Sequence, residues 1–307
     1  MRALVADRSA RSGVSLAETP DPQPAPGEVL VEVSAVSLNR REVRRLETRP
    51  EGSVPGWDVA GVIRRTAPGG PPEGARVVGL ARREGAWAEL VAVRSDELVE
   101  LPDAIGFEDA STLPVAGVTA IRAIEAGGSV LGRRVLVTGA AGGVGRFAIQ
   151  LAHRAGAHVT GVVRNSGRGA GLRELGADEL ITELEPEGEP FDVLLESAGG
   201  ASLAAALTRV GPDGTVVSFG NSSGDTTTFN VSRFYNLGAP RLYGLRVWDE
   251  LDRKHTAVRD LTLLTTELAA GRLDAQIGLA ASWREPDEAL AALRDRRVAG
   301  KAVLTID

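Results

Sequence analysis

The sequence predicts an α/β protein in two parts, a β-rich opening followed by a parallel sheet covered by helices. Three observations carry that expectation. Residues 1–115 fall into short extended segments broken by Gly and Pro; from residue 116 apolar strands alternate with helix-period segments; and a glycine-rich turn joins one such strand to one such helix. At 307 residues the chain also exceeds the ~100–200 usual for one domain. The expected division is residues 1–115 with 249–307 as a β-rich domain and 116–248 as the doubly wound parallel-sheet domain.

In the opening part, Val29–Val36, Asp58–Arg65, Arg76–Leu80 and Ala86–Val93 read as extended segments. Val29, Val31, Val33 and Ala35 alternate with Leu30, Glu32 and Ser34, a period of two that buries one strand face. Pro20 to Gly27 is Pro-rich, lacks ladder donors and reads as an extended surface connection. Further on, Arg134–Thr138 is an apolar strand, and Val144, Phe147, Ala148, Leu151 and Ala155 recur at helical spacing until Gly156. Val159–Val163 is the next strand, completing one βαβ unit. Later elements are expected at Leu172–Leu175 closed by Gly176, Glu179–Thr182, Phe191–Glu196, a helix near Leu203–Val210, Thr215–Phe219 and a last strand at Arg241–Val247. A polar helix around Asp249–Ala270 stops at Gly271, and Lys301–Ile306 is a final strand able to return to the first domain.

Composition removes several function classes. The 43% hydrophobic and 25% charged fractions are those of an ordinary globular protein, and the net charge of −6 offers no basic run for a phosphate backbone. Nucleic acid is therefore not an expected partner. With no cysteine, disulfides, thiolate catalysis, Cys-based zinc sites and iron–sulfur clusters are excluded together. No signal-peptide pattern opens the chain and no run of about 18 apolar residues follows, so a cytoplasmic protein without membrane association is expected.

The segment Val137-Thr138-Gly139-Ala140-Ala141-Gly142-Gly143-Val144-Gly145 holds an A-x-G-x-x-G pattern between strand and helix. Glycines at such a turn let backbone approach a pyrophosphate, and the free N–H groups of the helix start face the phosphates. Ala141, Gly142, Gly143 and Val144 are the candidate contacts for a dinucleotide held on a Rossmann-type unit. An acid at the end of the second strand would mark NAD. Arg164-Asn165-Ser166 stands there instead, with Arg168 following, so Arg164, Asn165 and Arg168 are candidates for the 2′-phosphate of NADPH. The same turn fits the T-G-x-x-x-G-x-G pattern of short-chain dehydrogenases. That alternative fails because neither Tyr235 nor Tyr243 has a lysine four places on, and because a long β-rich stretch precedes the turn.

Several segments together resemble the medium-chain dehydrogenase/reductase superfamily. They are Gly56-Trp57-Asp58-Val59-Ala60-Gly61-Val62, the run Pro102 to Ala120, Gly176-Ala177-Asp178 and Gly300-Lys301-Ala302-Val303. The resemblance covers nearly the whole chain and implies a GroES-like barrel beside the Rossmann domain. It also places Asn39, Trp57 and about Val115 where zinc-dependent members carry metal ligands, so no metal is expected. Without a Lewis acid, reduction of an electron-poor acceptor is easier than alcohol oxidation, and resemblance to the quinone oxidoreductases implies a quinone or α,β-unsaturated carbonyl as substrate. Two alternatives stay open, an NADPH-binding protein without turnover and an enoyl-thioester reductase.

Within that frame Asn39 is the candidate amide near the nicotinamide or substrate carbonyl, or else a loop-capping Asn. Thr119 is a candidate nicotinamide-side contact or a helix cap. Ser197, Gly220 and Asn221 follow strands at the carboxyl edge where ligands collect. Glu42 stands where the family has Asp, and Arg40 and Arg41 are either solvated or attract an anionic substrate. Trp57, Trp87 and Trp248 either pack in cores or line an apolar cleft. A homodimer joined through Arg241–Val247 is what the resemblance implies.

Overall fold

The chain opens on a hairpin of β1 (Arg2–Ala6) and β2 (Val14–Glu18), followed by the irregular Pro-rich stretch and then β3 (Glu28–Leu38). The computed structural model describes all 307 residues and divides them into two units, Met1–Val118 with His255–Asp307, and Thr119–Lys254. The first unit continues through α1 (Arg40–Arg45), β4 (Asp58–Arg65), β5 (Arg76–Leu80), β6 (Leu90–Arg94), β7 (Leu98–Glu100), α2 (Phe107–Ser111) and a π turn at Leu113–Gly117.

The second unit begins with α3 (Val118–Gly127) and runs through β8 (Arg134–Val137), α4 (Gly143–Arg154), β9 (His158–Val162), β10 (Glu179–Ile181), β11 (Phe191–Glu196), α5 (Gly200–Arg209), β12 (Val210–Ser218), α6 (Val231–Tyr235), β13 (Arg241–Gly244) and α7 (Val247–Lys254). The chain then re-enters the first unit as α8 (Ala257–Ala269), β14 (Ile277–Ser282), α9 (Asp287–Arg294) and β15 (Lys301–Thr305).

In the first unit β3 organises a seven-stranded sheet. One edge of β3 pairs with β4, while β6 takes Glu28–Glu32 and β15 takes Ala35–Leu38 on the other. Irregularities at Leu30/Val31 and Val33/Ala35 bend the strand between these partners. The alternation expected from sequence holds: Val29, Val31 and Val33 are buried in one core with Trp87 and Trp283. Beyond Ala35 both faces are buried, because β15 and the helices cover them. The return of Lys301–Thr305 to β3 is antiparallel and completes the unit from the far end of the chain.

The second unit is an all-parallel sheet in the order β10-β9-β8-β11-β12-β13. Strand order reverses between β8 and β11, so the crevice at their carboxyl ends is where a ligand of a doubly wound sheet sits. Leu136, Leu194 and Val216 supply its apolar centre and are fully buried.

Several expected elements are differently built. The single polar helix over Asp249–Ala270 is two helices, α7 and α8, because His255 takes a left-handed φ of 50° that no continuous helix accepts. Leu172–Leu175 forms hydrogen-bonded turns, not a regular element, and the last strand stops at Gly244 with Val247 already helical. Strands β1, β2 and β14 and helices α1, α2 and α9 carry no pattern long enough to declare them. Trp87 is fully buried and Trp57 nearly so, hence both are core residues.

Gly61 of β4 tests the packing of the first unit, since a Cβ there would lie 2.0 Å from the Glu32 carbonyl oxygen of β3. We expect Gly61→Ala to cost about 2–3 kcal/mol in chemical denaturation, as overpacking does. Gly244→Ala, with nothing within 4 Å of its Cβ, is the control and should stay within about 0.5 kcal/mol.

Candidate functional site

In the second unit the turn after β8 is shaped by glycine at two points. Gly139 has φ +60° and Gly145 packs so closely that a Cβ would meet the Gly139 carbonyl oxygen at 2.5 Å. The left-handed bend is thus made one residue before Ala140, which is fully buried, and this explains how alanine is tolerated where the dinucleotide pattern has its first glycine. Gly142 precedes α4 and offers no side-chain cap, so the first N–H groups of a twelve-residue helix are left for a ligand. Ala141 is buried, whereas Gly142, Gly143 and Val144 are half-buried at the surface of the turn.

The neighbouring helix start is already satisfied. Glu196, fully buried at the end of β11, accepts from Ala198 N at 2.8 Å, Gly199 N at 3.1 Å, Ser202 Oγ at 3.0 Å and Thr138 Oγ1 at 3.2 Å. Its carboxylate fills the N-terminus of α5, where a phosphate would meet like charge. Sequence reasoning missed Glu196 because an acid ending a strand reads as ordinary surface.

Ser197, Gly220 and Asn221 are brought together. Ser197 Oγ donates to the Thr138 carbonyl at 3.1 Å, while Ser222 N and Ser223 N donate to the Ser197 and Ala198 carbonyls at 3.1 and 2.8 Å. A Cβ on Gly220 would meet Ser197 O at 2.8 Å, and one on Gly199 would meet Asn221 Oδ1 at 2.1 Å. The loops after β11 and β12 therefore interlock. After β9, Arg164 is exposed, and Asn165 caps the turn Ser166–Gly169 by accepting from Arg168 N at 3.2 Å. A guanidinium free to turn toward a phosphate, a glycine turn and an uncapped helix start fit an NADP-type dinucleotide. Thr119 is buried as the second residue of α3, which continues directly from the π turn, so it does not cap a helix.

In the first unit the residues aligned with zinc ligands converge on carboxylates instead. Asp58 is fully buried and accepts from Ser37 Oγ at 2.5 Å, Asn39 Nδ2 at 2.9 Å, Val115 N at 2.8 Å and Lys301 Nζ at 3.3 Å. Lys301, also buried, further donates to Asn39 Oδ1 at 2.8 Å and to the Leu38 carbonyl at 3.4 Å, so all three of its N–H groups have acceptors. Asn39 precedes α1 with its backbone N–H on Glu42 Oε2 at 2.7 Å, and Trp57 N donates to Glu42 Oε1 at 2.7 Å. The amide of Asn39 is fixed at both ends, with one N–H on Asp58 and the second remaining on a half-buried side chain.

This donor set does not fit zinc: it has no thiol, its cation is an ammonium, and no group of three or more His, Asp or Glu residues is arranged to hold a metal. The three histidines serve elsewhere. His153 lies under Gly176, His158 stands 3.4 Å from Asp178, and His255 separates α7 from α8.

Family models described as "Alcohol dehydrogenase GroES-like domain" and "Zinc-binding dehydrogenase" match residues 25–103 and 143–261. A chloroplast envelope quinone oxidoreductase homolog of Arabidopsis thaliana is 30% identical over 233 residues, covering 67% of this chain and 70% of that one. A pikromycin polyketide synthase component of Streptomyces venezuelae is 34% identical over 223 residues; the match takes in 67% of this chain, which spans only 6% of that protein's length. The solved quinone oxidoreductase of Pseudomonas syringae pv. Tomato DC3000 superposes with a TM-score of 0.86 at 25% identity, covering 99% of this chain and 100% of that one. The fold and site define a nucleotide-linked oxidoreductase in two units. The chain belongs to the medium-chain dehydrogenase/reductase superfamily, among its zinc-free, quinone oxidoreductase-like members.

Burial, reinforced by the Asp58 charge, pushes the Glu42 carboxyl up from its ordinary 4.5 to about 8. Between those values the folded protein holds a proton there that the unfolded chain has released, so stability falls as pH rises from about 4.5 to about 8. Thermal unfolding at constant ionic strength from pH 5 to pH 9 should show this decline. Glu42→Gln, less stable at low pH for want of a second acceptor, should flatten it.

Proposed function

We propose that the protein is an NADPH-dependent reductase of quinones or α,β-unsaturated carbonyl compounds. The observation that carries the cofactor is the uncapped α4 start beside a carboxylate-filled α5 start, with Arg164 and Arg168 after β9 where NAD enzymes place an acid. Bound NADPH supplies a hydride. The glycine turn holds the pyrophosphate, Arg164, Asn165 and Arg168 take the 2′-phosphate, and the interlocked Ser197–Asn221 loops with Thr119 border the nicotinamide.

Asn39 is the group we assign to the substrate. Lys301 on Oδ1 and Asp58 on Nδ2 fix the amide, and its second N–H is the donor for an acceptor oxygen on which negative charge develops. A preset neutral donor suits acceptors that are already electron-poor, and quinones and enones are such acceptors. The names of the Arabidopsis and Pseudomonas relatives support the same substrate class. The reading includes a homodimer, supported by β13, an edge strand with Leu242 45% exposed.

Three measurements test this. Oxidation of NADPH should occur with a panel of simple quinones and cyclic enones, and no turnover despite tight NADPH binding would leave a binding protein instead. Arg164→Ala should weaken NADPH roughly tenfold or more while sparing NADH, and Asn39→Ala should lower kcat roughly a hundredfold with a smaller change in KM for the acceptor.

A further inference from the structure

One buried cation in the second unit is used by none of the roles above. Arg146 lies in the first turn of α4, directly after the glycine pattern, and is only 7% exposed. Its Nη2 donates to the Ala170 carbonyl at 2.8 Å and its Nε to the Ala141 carbonyl at 3.4 Å. Ala141 belongs to the pyrophosphate turn. Ala170 ends the segment that begins at Arg164 and includes the Asn165-capped turn. Gly171 follows with φ +75°, and a Cβ there would lie 3.6 Å from Arg146 Nη1, so the chain bends closely around the guanidinium.

We propose that Arg146 is a positioning residue for cofactor selection: it clamps the 2′-phosphate segment to the pyrophosphate turn and so fixes the separation between the two phosphate-binding elements. This rests on the NADPH reading. The two elements follow the adjacent strands β8 and β9, whose pairing ends at Val137–Gly161 with one further bond from Ala140 N to the Val162 carbonyl at 3.2 Å, and the segment from Arg164 to Ala170 extends beyond both. A planar guanidinium with donors on two edges can bridge two carbonyls rigidly, which an ammonium on one flexible stem cannot. Holding Ala170 in place holds the frame on which Arg164 and Arg168 present their charges. The same clamp places a buried positive charge beneath the turn, where the field of the α4 start already favours phosphate. A dinucleotide without the 2′-phosphate needs only the turn, so it should depend far less on the clamp.

The test compares wild type, Arg146→Leu and Arg146→Lys for the affinity of NADPH and NADH, with thermal unfolding in parallel. Wild type should prefer NADPH. Arg146→Leu should lose about tenfold or more in NADPH affinity and less than about threefold in NADH affinity, and Arg146→Lys should fall between, keeping charge but losing the bridge. Should the Leu variant fail to fold, the ratio of the two affinities in the Lys variant decides. An equal loss for both cofactors, or an unchanged ratio in a folded variant, would overturn the clamp and leave Arg146 a packing residue. A wild type that binds NADH as tightly as NADPH would overturn the cofactor reading itself, and the assignment of Arg146 with it.

Discussion

The first unit depends on one buried carboxylate. Asp58, at the start of β4, gathers Ser37 from β3, Asn39 from the entrance to α1, Val115 from the π turn and Lys301 from β15. Lys301 lies 243 residues away in sequence, so the pair fastens the returning end of the chain to its beginning. Such a pair is not a cheap source of stability, since desolvation offsets most of the attraction, but losing one partner would strand the other at a cost of about 3–5 kcal/mol. What it fixes is arrangement. Each donor comes from a different element, and the four meet only when β3, β4, β15 and the π turn are in register.

The second unit obeys an electrostatic constraint of another kind, in which only one of two neighbouring helix starts is met by an internal anion. Helices α4 and α5 both begin at the carboxyl edge of the parallel sheet, and each start would attract an anion. Glu196 supplies that anion internally for α5, accepting from Ala198 and Gly199 of its own loop, Ser202 of α5 and Thr138 from the end of β8. The α4 start, introduced by glycines and no acid, keeps its N–H groups for a ligand. A single carboxylate thus distinguishes two otherwise similar helix ends, one satisfied from within and one not.

Much of this was legible in the sequence where period or chemistry is strong. The βαβ unit around Gly139–Gly145 declares itself because an apolar strand, a glycine turn and a helical stripe succeed one another without gaps, and β3 does so through the alternation of Val29, Val31 and Val33, imperfect though Leu30 makes it. The short elements were not legible: α1 is six residues, four of them arginine, and β14 reads Ile-Gly-Leu-Ala-Ala-Ser, without polar residues at its exposed positions. The break at His255 was hidden because left-handed backbone at a non-glycine residue has no signature in a polar helix. The site was half legible. Asn39 was found by its place, yet its partners Asp58 and Lys301 were met only as family landmarks, and Glu196 and Arg146 look like surface charges until the fold buries them.

The buried cluster also limits the chemistry open to this chain. The three N–H groups of Lys301 are engaged, the two oxygens of Asp58 take four donors, and Glu42 accepts two backbone N–H groups. The ammonium has no N–H left for a further acceptor, whereas Nδ2 of Asn39 keeps one. A neutral donor contributes roughly 0.5–1.5 kcal/mol to a ground state and about twofold to threefold more where charge develops in a water-poor site. That is too little to strip a proton and hydride from an alcohol, but enough to favour an acceptor whose own conjugation carries most of the incoming charge. Asn39, Trp57 and Val115, which stand where zinc-dependent members carry ligands, are all bonded to Asp58 or Glu42, so these positions serve an internal hydrogen-bond network and the chemistry they leave open is positioning rather than polarisation.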